Sequence, residues 1–242
     1  MLMETWTKKK SIFWLTAMIM TTIVGTIIGN RVKNENILGG TIAILILLLI
    51  PIGIEFIRKT DPIVYYGLDF ITLKKINIRS VLGLAGIVFV TIALLDFYVF
   101  DIWKIIHQNS KIAVGSTSMA LAGSPYFYLS VFVVFGGTLL EELWFRGLIQ
   151  YKIKSITYFK KVNPHLAIVL QSILFGLIHF IPIFYGSDFE LKVKLWFFVY
   201  PTIIGLILGY TNEKYNSLWP GWIIHYTNNL CSILLFTILF KV

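Results

Sequence analysis

Cysteine is almost missing from this sequence: Cys231 is the only one in 242 residues. That excludes an intramolecular disulfide and any cysteine-rich metal centre, and leaves Cys231 as a small apolar packing residue. Charge is scarce too. Asp, Glu, Lys and Arg together make up 14% of the chain, against about a quarter in soluble domains. The hydrophobic share is 57% and the mean hydropathy +0.80, so a soluble globular domain is excluded and the bilayer is the solvent. No tract rich in Gly, Ser or Pro and no repeat of about 20 to 50 residues divides the chain, which reads as one membrane domain over residues 1–242.

What is present comes in helix-length apolar blocks free of Asp, Glu, Lys and Arg, at 11–29, 37–54, 80–95, 125–140, 166–187, 195–212 and 215–240. Each approaches the roughly 20 residues that cross a bilayer as a helix. Period-two alternation, which a membrane barrel requires, is absent. The expected fold is therefore all-α: a polytopic membrane protein of about seven transmembrane helices, seven or eight, around a polar intramembrane pocket. The first block is too long and lacks a small-residue cleavage site, so it reads as a retained helix.

Charge of one sign is also unevenly placed. Lys8, Lys9, Lys10, Arg58, Lys59, Lys74, Lys75, Arg79, Lys152, Lys154, Lys160, Lys161 and Lys214 fall on one side of the alternating blocks. Arg31, Lys33, Lys104, Lys111, Lys192, Lys194 and Lys241 fall on the other, and Arg146 lies within a span. The asymmetry predicts a cytoplasmic N-terminus, seven crossings and an extracytoplasmic C-terminus in a cell membrane. The net charge of +9 reports this orientation and not nucleic-acid binding, because the cations flank apolar blocks instead of sharing one soluble face. The connection 56–79 is basic and aromatic and is expected along the cytoplasmic interface. The connection of about 100–124 is turn-rich and expected as an outer loop.

Ionisable groups inside a span cost a few kcal/mol each and mark function. Glu141 and Glu142 follow the apolar run PYFYLSVFVVFGGTLL. Arg146, four residues after Glu142, shares its face and can neutralise it, whereas Glu141 points about 100° away. Glu141 is thus left without a local partner, as a general base and acid requires. A structural charge cluster is the plainer alternative. His179 sits in the apolar helix AIVLQSILFGLIHFIPIFYG, and His225 and Asn229 share one face of the last helix. Counted from the cytoplasmic ends, their depths of roughly 10 to 20 Å overlap that of Glu141, so all can meet in one pocket opening toward the cytoplasm. Asn228 faces elsewhere, as packing or an interhelical hydrogen bond. His107 and His165 fall at loop edges.

These residues form three motifs: Glu141-Glu142-Leu-Trp-Phe-Arg146, Phe175-Gly-Leu-Ile-His179 and His225-Tyr-Thr-Asn-Asn229. In that order, each on a membrane helix, they resemble the CPBP family of intramembrane proteases, also called Abi. That family includes the CAAX prenyl endopeptidase and bacteriocin-processing or immunity proteins. The similarity covers about residues 125–240, a CPBP-like catalytic core; residues 1–110 read as N-terminal scaffold helices. The resemblance implies peptide-bond hydrolysis in the membrane, with Glu141 and His179 activating a water and His225 and Asn229 stabilising the oxyanion. Glu142 and Arg146 would support them.

The family has also been described as metalloproteases. Zinc on Glu141, His179 and His225 is conceivable, but the two histidines lie on different helices without an H-E-x-x-H arrangement, and the expectation is a glutamate mechanism without cofactor. The implied substrate is a membrane-associated peptide or small protein, such as a bacterial leader, peptide-pheromone or bacteriocin precursor. Two other readings stand beside it. One is a non-catalytic immunity or scaffold protein; the other is a proton-coupled transporter, which the lack of inverted repeats disfavours. The oligomeric state is left open.

Overall fold

The structure, a computed structural model, describes residues 67–68, 70–98, 127–155, 165–186 and 189–240. The apolar blocks at 11–29 and 37–54, the loop at about 100–124 and His107 lie outside the described residues. Every described element is helical. A short α1 (Phe70–Lys74) leads to α2 (Ile78–Tyr98). Next comes α3 (Phe127–Glu142), which continues through a π-helical stretch, Leu143–Gln150, into α4 (Tyr151–Ser155). The chain finishes with α5 (Leu166–Gly186), α6 (Leu191–Tyr215) and α7 (Trp219–Phe240).

The expected all-α class is therefore what the structure has. Ile78–Phe97, with mean hydropathy 2.3, and Leu191–Tyr215, with 1.7, are long and apolar enough to cross a membrane. The outward side chains Ile87, Val90 and Leu94 of α2 are exposed, as lipid-facing residues are.

Two apolar clusters hold the helices. In one, Val81, Ala85, Val88 and Ile92 of α2 pack with Trp196, Ile204 and Leu208 of α6 and Ile224 and Ile233 of α7. In the other, Leu143, Trp144, Phe145, Leu148 and Ile149 of the π-helical stretch pack with Ala167 and Phe175 of α5 and Leu218. Helix α2, assigned by the sequence to the scaffold, thus lies directly against the helix that carries His225 and Asn229. Polar bonds tie the same layers. The Trp196 indole N–H donates to Asp96 at 2.6 Å, linking α6 to α2. Gln171 of α5 donates to the Gly205 carbonyl of α6 at 3.0 Å, and Lys154 of α4 pairs with Glu213 of α6.

The join between α6 and α7 is a tight reversal. Asn216 takes a left-handed conformation, φ 49°. The Ser217 N–H reaches the Asn212 carbonyl at 3.2 Å and the Asn216 N–H reaches the Glu213 carbonyl at 3.3 Å, the two-bond Schellman closure of a helix end. Gly67, φ 61°, lies against this turn: a Cβ there would meet the Asn216 carbonyl at 2.6 Å. Its own carbonyl accepts the Ser217 hydroxyl at 2.6 Å. The turn is thereby anchored to the chain just ahead of α1 and α2.

Candidate active site

Four helices supply the polar centre. The last residues of α3 are Glu141 and Glu142, and immediately after them the backbone widens into eight π-helical residues, all of them buried. A stretch of that kind departs from the continuous α-helix expected from the sequence, and π segments concentrate at functional sites because they re-aim side chains. Here Arg146 still returns to Glu142: Nη1 lies 3.1 Å from Oε1, and both side chains are fully buried. The guanidinium also stands over the Phe175 ring, 4.5 Å from its centroid. It directs no N–H at a hydrogen-bond acceptor among the described residues. Its charge is met by the Glu142 carboxylate and the π face instead.

Both oxygens of Glu142 are engaged. Oε1 faces Arg146 and lies 3.0 Å from His225 Nδ1, while Oε2 accepts from Asn212 Nδ2 at 3.2 Å. A carboxylate loaded in this way is a structural hub, since little of its charge remains to take a proton. Glu141 differs. Its side chain is 31% exposed, and its carboxylate lies 3.7 Å from His225 Nε2. His225 therefore stands between the two acids, one ring nitrogen toward each.

His179 is one ring away. Its Nδ1 lies 2.8 Å from the Phe175 carbonyl, and because a carbonyl can only accept, Nδ1 carries the proton and Nε2 is the acceptor nitrogen. Phe175 packs against both imidazoles, with centroids 4.6 Å from His179 and 5.8 Å from His225, so it sets the spacing between them.

Asn229 lies one turn beyond His225 on α7. Its Oδ1 accepts from Asn228 Nδ2 at 3.4 Å, which turns the amide NH₂ of Asn229 the other way. Asn228 itself donates to the Tyr200 hydroxyl of α6 at 2.7 Å, an interhelical bond in keeping with its expected packing role.

The structure thus brings Glu141, Glu142, Arg146 and His225 into contact, sets His179 beside them through Phe175, and holds Asn229 one turn away. Among the described residues, no three His, Cys, Asp or Glu side chains are grouped to hold a metal ion. The conceivable zinc set of Glu141, His179 and His225 is accordingly not assembled as a ligand cluster.

Two members of the centre were not singled out from sequence. Phe175 was visible only as a motif position. Asn212 closes the apolar block 195–212, beside Glu213 and Lys214, and was not considered for the site. The one available signal was an uncharged amide closing a run that, apart from Thr211, is without strongly polar side chains back to Thr202.

Neither curated proteins nor solved structures contain a match to this chain. A family model does match, that of the type II CAAX prenyl endopeptidase Rce1-like family, over residues 123–231. The matched span starts just ahead of α3 and ends within α7, so it takes in Glu141, Glu142, Arg146, His179, His225 and Asn229 together. Residues 123–231 of this chain are a domain of the Rce1-like type II CAAX prenyl endopeptidase family, a family of CAAX-type intramembrane proteases.

Proposed function

We propose that the chain is an endopeptidase that cuts a membrane-associated peptide or small protein by a water held between Glu141 and His179. The observation that carries this reading is the unequal treatment of two adjacent acids. Glu142 is fully buried and engaged by Arg146, His225 and Asn212, whereas the Glu141 side chain is part-exposed and its carboxylate lies 3.7 Å from His225 Nε2. Of the two, only Glu141 has room to meet a water and take its proton.

The steps follow from the donors and acceptors present. Glu141 removes a proton from the water, His179 Nε2 accepts its second hydrogen as a hydrogen bond, and the oxygen attacks the scissile carbonyl. The negative charge that develops on the carbonyl oxygen is met by His225 Nε2–H and the NH₂ of Asn229. His225 can donate there while its Nδ1–H remains on Glu142 when both ring nitrogens carry protons. Collapse of the tetrahedral intermediate breaks the C–N bond, and Glu141 returns its proton to the departing amine. Glu142 and Arg146 keep His225 aimed and take no proton.

The basic ends of α4 and α6 near this centre, with Lys152, Lys154 and Lys214, support entry from the cytoplasmic side. Suitable substrates are leader, peptide-pheromone or bacteriocin precursors that reach the pocket along the bilayer; the family's name adds a C-terminal prenylated peptide to that class.

The test is to express the parent chain and Glu141→Gln in the same deletion strain and compare membrane-associated peptides by mass spectrometry. Uncut precursor should accumulate with Glu141→Gln and with the empty strain, and disappear with the parent. Identical peptide lengths in all three strains would overturn the reading in favour of a non-catalytic protein.

A further inference from the structure

The hydrogen-bond positions of Asn212 give it a function beyond ending α6. From the structure we infer that Asn212 is a positioning residue for His225, acting through Glu142 and through the first turn of α7. The inference rests on the hydrolytic reading of the site only where it concerns rate.

An α-helix begins with N–H groups that have no partner within it. In α7 each can be traced. Trp219 N–H donates to the Ser217 hydroxyl at 3.2 Å. Pro220 has no N–H. Gly221 N–H donates to Asn212 Oδ1 at 3.0 Å, and Trp222 N–H reaches the Leu218 carbonyl at 2.9 Å. The cap of α7 is thus supplied partly from the preceding helix, by an amide nine residues back.

The other end of that amide is also used, since Nδ2 donates to Glu142 Oε2 at 3.2 Å. Glu142 Oε1 then holds His225 Nδ1 at 3.0 Å, and His225 is four residues, one turn, after Gly221. Glu142, Asn212, Gly221 and His225 close a ring of contacts around the start of α7. Within it Asn212 is the one link that touches both the acid and the helix backbone.

Two further features fix Asn212 in place. Its carbonyl takes the Ser217 N–H in the Schellman turn, so its backbone cannot rotate away. A Cβ on Gly221 would lie 2.8 Å from Asn212 Cγ, so only glycine admits the amide this close. The amide is oriented by its two partners, a carboxylate that accepts and an N–H that donates, which its separate NH₂ and carbonyl oxygen meet at once. The ring thereby fixes how far α7 is turned and where His225 Nε2 points relative to Glu141.

The test uses ¹⁵N-histidine-labelled full chain in lipid nanodiscs. The chain has four histidines, so His225→Asn assigns one signal pair and His179→Asn another. Asn212→Ala should shift or broaden the His225 Nδ1 signal while the His179 signal, bonded within its own helix, stays in place. Asn212→Asp keeps the acceptor for Gly221 N–H but loses the donor to Glu142, and should also move the His225 signal; it decides the matter if Asn212→Ala does not fold. On the peptide found by the Glu141 comparison, kcat should fall about tenfold to a hundredfold with KM unchanged, the loss expected for a small misplacement of a catalytic group. A parental His225 signal in a folded variant of either kind would overturn the inference. A moved His225 signal in a chain whose parent cuts no peptide would sink the protease reading alone.

Discussion

His225 Nδ1 and Glu142 Oε1 meet at 3.0 Å across 83 residues of sequence, joining the end of α3 to the first turns of α7. This contact turns an intrahelical ion pair into a three-helix centre, because the same carboxylate already holds Arg146 and Asn212. The behaviour of the whole site under mutation follows from the order in which these bonds depend on one another.

Glu142→Gln leaves the Arg146 guanidinium buried without its counter-charge. Breaking a buried pair from one side costs about 3–5 kcal/mol, so thermal unfolding in detergent should occur at a clearly lower temperature. Adding Arg146→Met should recover most of that stability, since an apolar replacement of both partners removes the stranded charge. It should not recover cleavage. A double variant no more stable than Glu142→Gln would show that the stranded charge is not what destabilises the single variant.

Phe175→Leu keeps the apolar character of α5 but removes the face on which Arg146 and both imidazoles rest. A cation over a desolvated ring contributes about 2 kcal/mol, and the loss should be read in the unfolding midpoint. Cleavage per folded molecule should fall as well, because His179 and His225 lose the spacer between them. A parental rate would mean that the ring serves packing alone.

Trp196→Phe removes the indole N–H that holds Asp96 while retaining an aromatic ring in the α2–α6 layer. An acceptor left short of its donor costs about 1–3 kcal/mol. The expected outcome is lower stability with unchanged cleavage per folded molecule, measured on matched folded fractions. A large fall in rate would tie the α2 contact to catalysis.

Chelators should leave cleavage by the purified protein unchanged. Among the described residues, Nε2 of His225, Nε2 of His179 and the Glu141 carboxylate are not grouped as metal ligands. Activity lost to a chelator and restored by zinc would replace the glutamate mechanism with a metal-assisted one.

Much of the fold was legible because burial in lipid leaves a coarse signal. The blocks at 80–95, 195–212 and 215–240 fall within or nearly coincide with α2, α6 and α7. The pairing of Glu142 with Arg146 was legible from spacing alone, and so was the isolation of Glu141 on its own helix. The π-helical stretch was not, since LWFRGLIQ has the composition of an ordinary amphipathic turn and widens in a segment packed on α5. Nor was Asn212. An amide at a helix end looks like a chain reversal, and only the partners brought by α3 and α7 reveal which bonds it makes.

The tight reversal at Asn216 and Ser217 has a consequence for biogenesis. Glu142 and Arg146 are synthesised with α3 and the stretch after it, but the imidazole and the amide that complete their surroundings belong to α7 and α6. A chain synthesised only through α5 therefore carries Glu142 and Arg146 without the His225 and Asn212 side chains that engage the carboxylate. The surroundings of the Glu142 carboxylate are thus completed only when α6 and α7 fold back on one another through the turn at Asn216.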